Sequence, residues 1–264
     1  MICSCGHHTA ADPELGGQTV TLSRPAVSLH GRLICQSASQ MLTALDLLPG
    51  HVAASRAEPG CLLFRIDQTD DPAIWTLREV FADEAAFAAH RTRSAASRWG
   101  QRSRKMGRDF HRHDTHPRIR PESPTDREGL DRLLRLGSGR GARMMERLRA
   151  DGDLTHSLIA HLEGQPVGHV ALSPLAADTP ALALGPLMVH PALRGRGLGR
   201  ALIAAAIEAA GPDPVVAFGP PALFAPCGFR PVEPDPSGQG SAALVHGTLP
   251  AGSAIRQAHA FTDP

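Results

Sequence analysis

Leu184–Ala210 reads LGPLMVHPALRGRGLGRALIAAAIEAA. An apolar run ends at Val189-His190-Pro191, glycine and arginine alternate through Arg194–Arg200, and an almost wholly apolar segment follows. The pattern predicts a buried strand, a tight turn and a buried helix. That order builds an anion site. A helix start carries amide hydrogens without helical partners and the positive end of the helix dipole. Gly195, Gly197 and Gly199 let the main chain come close to a ligand, because no Cβ intervenes. Several amides can then converge on one diphosphate, with Arg194 and Arg196 adding charge.

Spacing narrows the ligand. The turn lacks the Gly-x-x-x-x-Gly-Lys-Ser/Thr of a nucleoside triphosphate loop, and it is one residue short of Gly-x-Gly-x-x-Gly. It is Arg-x-x-Gly-x-Gly, on Arg194, Gly197 and Gly199, placed between Val189-His190-Pro191 and a helix. In this the chain resembles the GNAT-type N-acetyltransferases, whose acyl-CoA signature is Gln/Arg-x-x-Gly-x-Gly/Ala in the same setting. Segments in register with a predicted bacterial subgroup of that family are Glu146–Gly152, Ser157–Ala160, Gly168-His169-Val170, Ser173-Pro174 and Gly228-Phe229-Arg230-Pro231. The resemblance spans about Pro117 to Phe261.

Composition bounds the rest. The chain has 264 residues, 42% of them hydrophobic, enough for two domains with real cores. A net charge of +1 sets up no global field for nucleic acid or a membrane surface. No apolar run reaches spanning length, and no signal peptide is expected from the first residues. Five cysteines in this length are not a disulfide framework, and a reducing cytoplasm fits them. Lys105 is the only lysine, and tyrosine and asparagine are absent, a bias expected of a GC-rich bacterial genome.

Three segments are expected: a flexible tail over 1–26, a first domain over 27–114 and a second over 115–264, joined by a polar linker near Arg112–Pro121. In the second domain a strand ends at Glu122. Ser123-Pro124-Thr125-Asp126 is a helix start with Ser as N-cap and Pro at the first helical position. Leu130, Leu133, Leu134 and Leu136 give that helix its apolar face, and a second helix covers Ala142–Ala150. Strands follow at Ser157–Leu162, Val167–Leu172, Ala181–Val189, Val215–Phe218 and Ala242–Leu249, with a helical turn at Pro221–Ala225. The expected fold class is α+β, with a mixed-sheet acyltransferase domain after a ferredoxin-like one.

The resemblance implies an acyl-CoA-dependent N-acyltransferase, using acetyl-CoA and a small-molecule amine that attacks the thioester directly. It assigns the pantetheine arm to Leu187, Met188 and Val189, with an amide of Val189 or Met188 as oxyanion donor. It assigns the diphosphate to Arg194, Gly195, Arg196, Gly197, Leu198, Gly199 and Arg200. Many relatives carry an acid tyrosine where this chain has Phe224, and a phenyl ring has no proton to give. His190, His169 and Cys227 are the remaining candidates for proton transfer. The acceptor pocket is expected from the loops at Gly137–Arg143 and Asp235–Gly240.

The first domain shows strands at Gly31–Gln36, Cys61–Ile66, Ile74–Phe81 and Arg108–His111, and helices from Ser39 and from Asp83-Glu84. This βαββαβ order is ferredoxin-like. It resembles the antibiotic-biosynthesis-monooxygenase (ABM) domain through Glu58-Pro59-Gly60-Cys61-Leu62, Asp70-Asp71-Pro72, Trp75, Glu79, Phe81 and Phe87–His90. The resemblance implies a dimeric barrel and hence a homodimer. His90, Trp99 and His51 are the residues open to a role there, and His90 reads as a helix-face histidine near the dimer pocket. An oxygenase or haem-handling enzyme, and a non-catalytic acyl-CoA-binding dimer, are the alternative readings. Cys3, Cys5, His7 and His8 form a tight cluster able to grip Zn²⁺, Cu⁺ or Ni²⁺. No groove-reading motif for nucleic acid appears.

Overall fold

A computed structural model describes residues 16–137, 139–175, 180–232 and 243–250. The Cys3/Cys5/His7/His8 cluster and the Asp235–Gly240 loop lie outside them. The chain divides into two compact units, Thr21–His116 and a second one holding Pro117 onward together with the segment up to Val20.

The first described strand, β1 (Gln18–Thr19), belongs to the second unit, where it pairs with the strand at Arg118–Pro121. Gln18 and Thr19, expected within a flexible tail, therefore carry regular structure. The tail composition is polar, but the strand needs only backbone groups to dock.

The Thr21–His116 unit runs β2 (Ala26–Ile34), α1 (Ala38–Arg56), β3 (Cys61–Gln68), β4 (Ile74–Phe81), α2 (Glu84–Ala96), α3 (Arg98–Arg102) and β5 (Gly107–Thr115). Ser37, Asp83 and Ser97 cap the three helices through their side chains, each accepting an amide hydrogen three residues on. The antiparallel sheet has the order β3-β4-β2-β5, the ferredoxin-like arrangement. Its core joins Val27, Phe64, Leu77, Phe81 and Phe87 to a second cluster around Leu33, Leu48, Trp75 and Trp99. The stretch expected as a linker is mostly strand. Asp114 and Thr115 still pair with Val27 and Ala26. Alternating His and Arg hide a strand whose outer face needs no apolar residues.

The second unit continues with β6 (Arg118–Pro121), α4 (Arg127–Arg135), α5 (Arg140–Ala150), β7 (His156–Leu162), β8 (Gln165–Leu175), β9 (Ala181–Val189), α6 (Leu198–Ala210), β10 (Val215–Phe218), α7 (Pro221–Phe224), β11 (Arg230–Pro231) and β12 (Ala243–His246). The sheet order is β1-β6-β7-β8-β9-β10-β12-β11, with β9 and β10 parallel and the other neighbours antiparallel. A capping box at Ser123 and Asp126 starts a 3-10 turn that leads into α4. Leu130, Leu133 and Leu134 are buried with Met144, Met145 and Leu148 of α5, while Leu136, expected on the same face, is exposed. On the other side α6 presses on β8: a Cβ at Gly168 would lie 2.9 Å from Leu202 Cδ1.

Candidate functional site

The site grows from the end of β9. β10 accompanies β9 only from Leu182 to Leu184, where Leu184 meets Ala217. β9 nevertheless runs on to Val189, still paired with β8 on its other side. From Gly185 onward β9 and β10 splay. His190 N–H donates to the Val167 carbonyl over 2.8 Å, which fixes the alternation of the β8–β9 ladder. Counting back by twos, Met188 directs its amide into that ladder, whereas Val189 and Leu187 direct theirs into the splay. Of the two expected oxyanion donors, only Val189 has its N–H on the open side.

Past β9 the chain makes a 3-10 turn over Pro191–Leu193 and then swings through Gly195 (φ 71°) and Gly197 (φ 94°). Both are left-handed, where a side chain is disfavoured. A Cβ at either would meet no protein atom within 4 Å, so the space beside them is open. Gly197 is the N-cap of α6 and offers no side-chain cap. The first amide to find a helical partner is that of Ala201, to the Gly197 carbonyl at 3.1 Å. Among the described residues, the amides of Gly195, Gly197, Leu198, Gly199 and Arg200 have no protein acceptor. An exposed helix start left in this state is open to an external anion as acceptor.

The arginines divide their work. Arg194 Nε donates to the Val189 carbonyl at 3.2 Å, tying the turn back to β9. Arg196, expected to lend its charge to the ligand, is buried. Arg194 and Arg200 are the exposed cations of the turn.

The candidate proton-transfer residues fare differently. His190 Nδ1 accepts the Ala192 amide at 3.3 Å, so it caps the 3-10 turn. Its pKa is lowered by burial and then by Arg194. The neutral ring's lone pair is thus engaged in the fold. His169 is fully buried on β8 opposite Ile159 of β7, with Nε2 3.0 Å from Ser157 Oγ. Burial, then Arg149, pushes its pKa down to about 3. Ser157 in turn donates to Glu122, which is bound by Arg149. This four-residue chain was invisible in the sequence, where its members are scattered over Glu122–His169. Cys227 is half-buried, and burial raises its thiol above the usual range despite the opposing Arg200. It is a thiol, not a thiolate nucleophile. Phe224 is buried against Phe229, ring centroids 5.3 Å apart.

Gly137, just past α4, and Gly141, in the first turn of α5, stand over the splayed strand. A Cβ at Gly141 would lie 3.5 Å from Pro186 Cβ, and one at Gly137 would lie 3.8 Å from Met188 Cε. Among the described residues no group of three or more His, Cys, Asp or Glu side chains is placed to hold a metal ion.

Residues 127–213 match the model of the acetyltransferase (GNAT) family. A GNAT family N-acetyltransferase (YhbS) from Escherichia coli, solved in complex with CoA, is 35% identical over 49% of this chain and 80% of that one, with a TM-score of 0.45. The chain belongs to the GNAT acetyltransferase family. A second GNAT family acetyltransferase, from Brucella melitensis and solved with acetyl-CoA, is 29% identical over 55% of this chain and 98% of that one, TM-score 0.45. The first unit of this GNAT-family chain matches a different model, antibiotic biosynthesis monooxygenase, over residues 40–102. No curated protein matches the chain. No helix among the described residues is long and apolar enough to cross a membrane.

Proposed function

We propose that this chain moves the acetyl group of acetyl-CoA onto the amine of a small molecule by direct attack. The observation that carries the reading is the set of unpartnered amides at Gly195, Gly197, Leu198, Gly199 and Arg200, set beside a strand edge left open by the splay of β9 from β10. Such a donor set suits a diphosphate, and an open strand edge suits an amide-bearing arm. Arg194 to Arg200 would hold the diphosphate, and Leu187 and Val189 the pantetheine. Bound acetyl-CoA supplies an activated acyl thioester. The Val189 amide, turned away from β8, would serve as the oxyanion donor.

His190 is engaged as a cap, His169 is buried and neutral, and Cys227 keeps its proton. This chain therefore contributes orientation and charge stabilisation, and the amine must arrive unprotonated. The acceptor is proposed to sit against the α4–α5 turn, above Pro186 and Met188. A cytoplasmic homodimer is part of the same reading.

The test is release of free CoA thiol from acetyl-CoA with a panel of small amines. Amine-dependent release that disappears in a Gly197→Val variant supports the proposal. CoA binding without release for any amine would leave only a binding module and overturn it.

A further inference from the structure

The first unit holds an open cavity of about 940 Å³. One part of its wall is apolar, built by Leu33, Leu48, Phe64, Leu77, Phe87 and Trp99, and another carries Arg91, Arg104, Arg108 and Arg112. Set into that wall beside the buried His51 are two more titratable side chains the acyl-transfer reading does not use, Glu79 of β4 and His90 of α2, each 4% exposed. His90 Nδ1 lies 2.9 Å from Glu58 Oε2 and 3.4 Å from an Arg93 nitrogen. The shorter contact puts the ring proton on Nδ1, donated to the carboxylate. Arg93 also binds Glu58 and donates to Ser55 Oγ at 2.8 Å, so Glu58 is held in place. The Nε2 lone pair then faces Glu79 Oε2 across 3.8 Å, too far for a hydrogen bond. Glu79 Oε2 is buried and has no hydrogen-bond partner.

We propose that this cavity is a second catalytic site that interconverts the keto and enol forms of an apolar carbonyl compound bearing one anionic group, with His90 as base and Glu79 as acid. The electrostatics suit those roles. Burial, then Glu58, raises the Glu79 carboxyl to about 8, so it carries a proton to give at neutral pH. Burial lowers the pKa of His90, against the pull of Glu58, so its ring is neutral. Two groups pushed in opposite directions in one apolar pocket make an acid–base pair. In the step, His90 Nε2 takes the proton α to the carbonyl. The C–H electron pair becomes the new C=C bond, and the carbonyl oxygen takes the Glu79 proton. The products are an enol, an imidazolium and a carboxylate. Return of the proton from His90 to Glu79 restores the site, and no other reactant is needed. Arg91 and Arg104 line the cavity with no carboxylate partner among the described residues, which favours an anionic group on the substrate.

Glu58 is a positioning residue. The groups facing the pair are Glu58, His51 on α1, Arg93 on α2, and Arg56 and Cys61 beside them. Glu58 raises the pKa of both His90 and Glu79, so Glu58→Gln is expected to move both limbs of the pH profile to lower pH.

The probe is phenylpyruvate, with exchange of its C3 hydrogens followed by NMR in D₂O on the full chain. Wild-type protein is expected to accelerate exchange above buffer and to change its Trp99 fluorescence on adding the probe. His90→Gln and Glu79→Leu should each slow exchange at least about a hundredfold, the lower end for a positioned acid or base. Exchange at the buffer rate with wild-type protein, an unmoved emission spectrum, or cooperatively folded His90→Gln and Glu79→Leu variants as fast as wild type would each overturn the proposal.

Discussion

Replacing Gly197 with alanine separates backbone conformation from packing at the phosphate turn. Gly197 sits at φ 94°, ψ −16°, and a Cβ there would touch nothing within 4 Å. The cost is therefore strain, not collision, and a left-handed residue other than glycine costs about 1–2 kcal/mol. The turn is exposed at this point, so relaxation out of the left-handed region is open to it. Relaxation would turn the amides of Gly195, Gly197 and Leu198 away from a common focus. If the ligand must restore the turn, the strain appears in affinity, as about 5- to 30-fold weaker CoA binding at 1.4 kcal/mol per tenfold. Gly199→Ala is the matched control. Gly199 is helical, its added Cβ would lie 3.8 Å from Val189 Cγ2, an ordinary contact, and alanine favours a helix over glycine by about 1 kcal/mol. It should melt no lower than wild type and bind CoA within about threefold. Calorimetric titration with CoA, alongside a thermal melt, reads both. Wild-type affinity in Gly197→Ala, or an equal loss in the two variants, would refute the reasoning.

Other outcomes follow from the same structure. Glu79 keeps its proton to about pH 8 when folded but loses it near pH 4.5 when unfolded, so the first unit loses stability as pH rises through that window. The loss reaches about 3 kcal/mol at pH 7, and Glu79→Gln should abolish that slope in a melt series. The second unit runs the other way: His169 charges near pH 6.5 when unfolded and only near 3 when folded, so its stability falls as pH drops through that range. Asp126 adds to that acid loss, because the bonds from Arg120 and Ser123 overcome burial and depress its pKa. Arg120→Leu leaves the Asp126 charge buried without its bidentate partner and should cost about 3–5 kcal/mol by denaturant unfolding. Acetyl transfer should rise with pH along the ionisation of the amine alone, and Cys227→Ala should keep kcat within about threefold; a further enzyme pKa between 5 and 8 would mean that a base has been missed.

What could be read from the sequence was local. β9 and β10 have the expected bounds, because each is an apolar run closed by a turn residue. The Ser123–Asp126 start and the Gly197 turn were legible for the same reason, since a cap or a glycine turn is decided within a few residues. Pairings between distant polar segments were not. β1 lies about a hundred residues from its partner β6, and β11 holds only Arg230-Pro231, with no periodicity to read. β5 was expected over Arg108–His111, and its extension to Thr115 hid behind histidines and arginines. In the sites, spacing located the amides but could not tell that Arg196 turns inward or that His190 gives its lone pair to Ala192. Nor could it join Glu58, Glu79 and His90, whose meeting depends on how a turn, a strand and a helix pack.

The central claim is that the unpartnered amides opening α6 receive the diphosphate of acetyl-CoA. Amide ¹H–¹⁵N spectra of the assigned protein, recorded with and without CoA, test it directly. The account predicts that the signals of Gly195, Gly197, Leu198, Gly199 and Arg200 move together, saturating at one CoA per chain, while those of β3 and β5 stay in place. Saturating CoA with those five signals unmoved would contradict it.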